Sequence, residues 1–194
     1  MRRTPEDVAR TRAFWLANKP GEPGAPAYVH DPPGGWTVAG ALTLALALQT
    51  TLAPLLAVRG GTVSLVLLVV AWYAVRTGTL RGFAFGLLAG ACEDALAGTS
   101  GVAWTFATAV AGALAGRLAR TWLSDAKLVL VSGAAALTLV RFAFFALILQ
   151  AEGRPLALPL VHFHAVLWQA LLDAAGAFVA LWLRPELVSR ANRR

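Results

Sequence analysis

From Trp36 to Leu183 the chain alternates long apolar blocks with short clusters of glycine, proline, hydroxyl and charged residues. The blocks have the length of membrane spans and lack the period-two alternation of half-buried strands. They predict six helices, at Trp36–Val58, Thr62–Val75, Thr79–Ala97, Val102–Ala119, Lys127–Leu149 and Leu158–Leu183. The second block, 14 residues long, falls short of the ~17–25 residues a span needs. Arg59 and Arg76 at its ends extend it by snorkelling. The expected fold is an all-α membrane protein, a six-transmembrane-helix bundle.

Three regions follow from the pattern: a tail over 1–35, a six-helix domain over 36–184 and a short basic tail over 185–194. Within the first, Thr4-Pro5-Glu6-Asp7 carries a capping hydroxyl, proline at the first helical position and acids on the positive end of the dipole. A short helix there is expected on lipid headgroups or free in a mobile tail. Lys19 to Gly35 is a Pro/Gly linker.

The third block contains an informative stripe. Gly82, Gly86, Gly90, Asp94 and Gly98 recur every fourth residue, so they share one shallow groove of a helix. Glycines at this spacing admit a second helix backbone at close range. Gly112 and Gly116 repeat the device in the fourth block, so the two helices should form a tight antiparallel hairpin turning at Thr99 and Ser100. Asp94, in the same groove, should face protein or water.

Composition sharpens the membrane expectation. Of the 194 residues, 58% are hydrophobic and 14% charged, with mean hydropathy +0.64; a soluble domain would have about a quarter of its residues charged. The net charge of +7 would suggest nucleic acid in a soluble chain. Here fourteen of the 17 Lys and Arg fall on one side of the expected spans: the N-terminal tail, Arg76 and Arg81, Arg117 to Lys127, and the C-terminal tail. Arg59 and Arg154 fall on the other side, and Arg141 lies within the fifth block. The bias predicts both termini in the cytoplasm and no nucleic-acid partner. The single Cys92 excludes an intramolecular disulfide and reads as a small core residue.

Asp94, Arg141, His164 and Asp173 are expected to form an intramembrane polar cluster. At ~1.5 Å per residue, Asp94 and His164 lie roughly 9 Å outward of mid-span, Arg141 about 4 Å outward and Asp173 about 4 Å inward. Arg141 is expected to pair with Asp94 or Asp173, because an isolated charge at that depth costs several kcal/mol. Glu93 points ~100° away from Asp94 and is expected at the interface. His162 and His164 diverge likewise and do not form a metal pair by themselves. No nucleophile elbow, phosphate-binding glycine loop or zinc spacing is present. The chain is expected to be non-catalytic, with no cofactor and no metal.

The segment GFAFGLLAGACEDALAGTSG, following a first block that ends LQTTLAPLLAV, resembles the signature of the MreD family of rod-shape-determining membrane proteins. Gly82, Phe83, Gly90, Asp94, Gly98 and Gly101 fall on the motif, and the likeness spans roughly Gln49 to Leu183. The chain departs from it at Gly61-Thr62-Val63-Ser64, where family members usually have a proline and an acidic or amide residue.

The resemblance implies a non-enzymatic scaffold of the bacterial cell-elongation machinery in the inner membrane. Such a protein binds MreC and contacts RodA, its transpeptidase partner and MreB. The six-helix fold is also thought to be shared with substrate-binding subunits of energy-coupling-factor transporters. Two functions therefore stand side by side. One is a scaffold accepting a partner helix in the Gly82–Gly98 and Gly112–Gly116 grooves. The other is the substrate-binding subunit of a vitamin-type transporter, against which the short outer connections count.

Overall fold

A computed structural model describes residues 33–51, 55, 57–98, 102–121, 127–153 and 157–183. The expected tail helix, the Thr99–Ser100 turn and the C-terminal basic tail lie outside the described residues. Those residues form six helices: α1 Gly35–Thr51, α2 Leu65–Thr77, α3 Thr79–Ala97, α4 Ala103–Thr121, α5 Lys127–Ala151 and α6 Ala157–Leu183. Two of them, in Val131–Ala151 and His162–Leu183, are long and apolar enough to cross a membrane. Helix α2, at 13 residues, is apolar but short.

The first two helices are shorter than expected because the connection between them has a structure of its own. Val58 and Gly61 exchange both backbone hydrogen bonds, each 2.9 Å. Between them Arg59 (φ 48°) and Gly60 (φ 85°) both take positive φ, as a two-residue hairpin turn requires. Gly61 rests against α6: a methyl group there would lie 2.6 Å from the Ala165 carbonyl oxygen. At the other end of α2 a single residue, Gly78, reverses the chain into α3 with φ 93°. Its amide still bonds the Ala74 carbonyl at 2.8 Å, and its carbonyl opens α3 by accepting from Gly82 at 2.9 Å. An L side chain at Gly78 would be strained.

Helix α2 is the hub, touching each of the other five. On one side Val66 and Val70 meet Val38, Leu42 and Ala45 of α1 and Phe85 and Ala89 of α3. On the other, Leu67 and Ala74 meet Ala111 and Ala115 of α4 and Leu137 of α5. Nothing in α2 requires a long helix, since its neighbours surround it.

Among the described residues, the helices carry buried polar groups and an apolar outer surface. Arg141, Glu93, Asp94, Asp173, Thr108, Thr138 and Ser64 are all buried. Large apolar side chains such as Leu80, Leu88, Leu171, Phe178 and Trp182 are exposed, Leu80 by 80%. Only 22% of the most apolar window of α5, and the same share in α6, is buried. A core helix of a soluble protein would be mostly covered.

Candidate functional site: a buried polar network around Arg141

The sequence of α3 places two stripes side by side, and the structure uses them differently. Gly82, Gly86, Gly90 and Asp94 face α4, while Phe85 and Ala89 pack against α1 and α2, and Glu93, four residues further on, reaches α1, α4 and α5. On the first stripe the helix backbones touch. A methyl group on Gly86 would sit 2.6 Å from the Thr108 carbonyl oxygen; on Gly90 it would sit 2.5 Å from that of Trp104. Gly112 opposes Gly82, and Gly116 opposes Gly78. The two helices thus step past each other four residues at a time, in antiparallel register. The groove expected to accept a partner helix is filled by the chain's own α4. The van der Waals fit of two glycine-lined backbones is best satisfied by the segment that follows next in sequence.

Gly98 does not belong to this packing. It caps α3 in the left-handed conformation (φ 62°), and a methyl group there would meet nothing within 4 Å. Its glycine serves the turn.

Asp94 closes the stripe from α3 onto the first turn of α4. One carboxylate oxygen accepts from the Trp104 amide at 3.2 Å; the other accepts from the Thr105 amide at 2.8 Å and the Thr105 hydroxyl at 2.6 Å. A carboxylate against free amides at the positive end of a helix is stabilised without a cationic partner. Asp94 is therefore committed to α4 and is not the counter-ion of Arg141.

That counter-ion is Glu93. The Arg141 Nη2 donates to Glu93 Oε2 at 2.5 Å, with 3% and 7% of the two side chains exposed. Arg141 also donates from Nε to the Thr108 hydroxyl (3.0 Å) and from Nη1 to the Ser64 hydroxyl (2.6 Å). Thr108 passes its own hydrogen to Glu93 Oε2 at 3.1 Å. The Trp104 ring lies 4.5 Å from the guanidinium carbon and stacks on Phe145. The expectation of Asp94 or Asp173 as partner was wrong, and so was the placing of Glu93 at the interface. Depth along the helix axis cannot tell adjacent residues apart, whereas helix rotation points them ~100° apart.

Two further side chains bring in the outer helices. Gln49 of α1 donates to Glu93 Oε1 at 3.1 Å and accepts the Val66 amide of α2 at 3.0 Å. Gln49 continues the buried stripe of Val38, Leu42 and Ala45, which made it legible in the sequence, although it was not singled out. Asp173 of α6, fully buried, accepts the Ser64 amide at 2.6 Å and contacts the Thr138 hydroxyl of α5 at 2.6 Å. Ser64 links it to Arg141. His164 stands apart from the network. It is exposed, and its Nε2 accepts from the Trp168 indole at 3.3 Å, beside Arg59, whose guanidinium lies 5.0 Å from the Trp168 ring.

All six helices thus share one polar network, and among the described residues no buried side-chain nitrogen or oxygen lacks a partner. No group of three or more His, Cys, Asp or Glu among those residues is arranged to hold a metal ion. Cys92 is half-buried and free. Comparison with known proteins finds no matching family model, no matching curated protein and no matching solved structure.

Proposed function

We propose that this protein is a non-catalytic integral-membrane scaffold of the bacterial cell-elongation complex, crossing the inner membrane six times with both termini in the cytoplasm. The observation that carries the membrane part is the placing of polarity among the described residues: Glu93, Asp94, Arg141 and Asp173 are buried and bonded inside the bundle, while many large apolar side chains lie outside. In hydrocarbon, helices with internal polar pairs are the arrangement that leaves no backbone or charge unsatisfied. The short α2 fits this reading, because a helix enclosed by five others need not match the bilayer thickness. The asymmetric Lys and Arg distribution sets the orientation.

The role in cell elongation rests on the likeness of GFAFGLLAGACEDALAGTSG to the MreD signature. Among the described residues every buried polar side-chain atom has a partner, which supports a scaffold over a transporter subunit, since a substrate site needs polar groups free to turn toward a ligand. With the glycine groove filled internally, partner contact shifts to the exposed apolar faces. MreC is the expected neighbour, with RodA, its transpeptidase partner and MreB reached through it or directly.

Photo-crosslinking residues at Leu88, Leu96, Leu171 and Phe178, all exposed, test this in intact cells. The scaffold predicts a protein adduct containing MreC from at least one face. Lipid adducts alone from all four positions would reject it, and a small molecule retained in native mass spectrometry would favour the transporter subunit.

A further inference from the structure

We propose that Arg59, with Trp168 and His164 beside it, binds the phosphate of an outer-leaflet phospholipid. The site rests on the reading of the chain as a membrane protein, and not on its assignment to cell elongation. The argument begins with how Arg59 is held. It takes φ 48° in the turn between α1 and α2, which both backbone hydrogen bonds between Val58 and Gly61 close. Gly61 is pinned to α6: a methyl group there would lie 2.6 Å from the Ala165 carbonyl oxygen and 2.6 Å from the Gln169 amide nitrogen. The exposed Arg59 side chain lies over Trp168, its guanidinium carbon 5.0 Å from the ring centroid. Trp168 is itself oriented, since its indole N–H donates to His164 Nε2 at 3.3 Å. An indole only donates, so the neutral His164 ring carries its hydrogen on Nδ1, a second donor at the same end of α6.

Charge balance is the second observation. Arg141 and Arg59 both lie over a tryptophan, but Arg141 is neutralised by Glu93. Among the described residues no carboxylate is paired with Arg59. Contact with the ring covers a face of the guanidinium and leaves its N–H edge, a planar fork that matches two phosphate oxygens. What lies beyond the cation is the third observation. Leu167 and Leu171 are exposed and share the face of α6 that carries His164 and Trp168. A fixed cation followed by an apolar run along one helix has the order of a headgroup followed by an acyl chain. The Lys and Arg distribution sets Arg59 on the outer side, where a tryptophan suits the headgroup level.

Thermal unfolding of the purified full chain in detergent tests the site, with short-chain phosphatidylglycerol, the diacylglycerol of the same chains, or inorganic phosphate added. Phosphatidylglycerol is expected to raise the melting temperature of the wild type, and the other two to leave it unchanged. Arg59→Asn removes the cation and keeps a residue that accepts the left-handed backbone. It should lose most of the rise, whereas Arg81→Gln, at an exposed arginine beyond the far end of α2, should keep it. An equal rise in Arg59→Asn, the same rise with diacylglycerol or inorganic phosphate, or no rise at all overturns the proposal. Should Arg59→Asn fail to fold, Trp168→Leu removes the ring under the cation, and an undiminished rise there overturns it equally. A chain that stays in solution without detergent or lipid would refute the membrane reading as well; a detergent-dependent chain without the lipid effect refutes this site alone.

Discussion

Arg141 of α5 and Glu93 of α3 form an ion pair at 2.5 Å in the middle of the described bundle, forty-eight positions apart in sequence. The pair does not stand alone, because Thr108 bonds both members and Ser64 and Gln49 tie them to α2 and α1. Removing one member strands the other charge in a dry interior. Arg141→Met and Glu93→Met are each expected to lower stability by about 3–5 kcal/mol. The double replacement should recover part of that loss, since it leaves no orphan charge. Unfolding in mixed micelles, analysed as a double-mutant cycle, measures the coupling; additive losses would show that the pair is not a unit.

The glycine contacts predict a sharp contrast between positions. Gly86→Ala forces a methyl group against the Thr108 backbone, which has no side chain to rotate away. It should separate α3 from α4 and lower the melting temperature markedly. Gly133→Ala on α5 meets nothing within 4 Å. Within a helix that change should raise stability by up to ~1 kcal/mol. Equal effects of the two in a thermal-shift assay would contradict the backbone contact.

Asp94 holds the start of α4 from a neighbouring helix. Asp94→Ala should cost about 0.5–2 kcal/mol, the range for losing a helix-capping side chain. Faster amide exchange should be confined to the first turn of α4, at Trp104 and Thr105. Exchange that is unchanged there would remove Asp94 from the capping role.

Gln49 is the polar link between α1 and the rest of the network, bonding Glu93 with its amide nitrogen and the Val66 amide with its oxygen. Gln49→Leu keeps the bulk and loses both bonds, each worth about 0.5–1.5 kcal/mol, with charged partners higher. Limited proteolysis should then cut first in or beside α1 while the other helices stay protected. Uniform loss of protection would mean that α1 is no more separable than its neighbours.

Much of the helix layout was legible because long apolar blocks interrupted by glycine and charge admit few alternatives. α3 in particular begins and ends where expected, at Thr79 and Ala97. The approach of α3 to α4 was legible for the same kind of reason: a glycine every fourth residue has few uses other than close contact. The connection at Arg59–Gly61 was placed as well, between Val58 and Thr62, but its closing backbone hydrogen bonds and torsions were not, since they leave no mark in the side-chain pattern. The reversal at Gly78 leaves no sequence mark beyond a single glycine between two threonines, because a positive φ is a property of the backbone.

The sequence by itself determined which residues are polar inside apolar helices, and that each of them must find a partner. It also determined the spacing that puts Phe85, Ala89 and Glu93 on one line and Gly86, Gly90 and Asp94 on the next. Only the tertiary structure decided which carboxylate meets Arg141. That choice depends on the rotation of α3 against α4 and α5, fixed by the close fit at Gly82, Gly86 and Gly90. Once that fit is made, Asp94 is turned to the amides of α4 and Glu93 to the guanidinium. Adjacent residues on a helix look ~100° apart, so a packing contact several turns away settles the electrostatics of the centre.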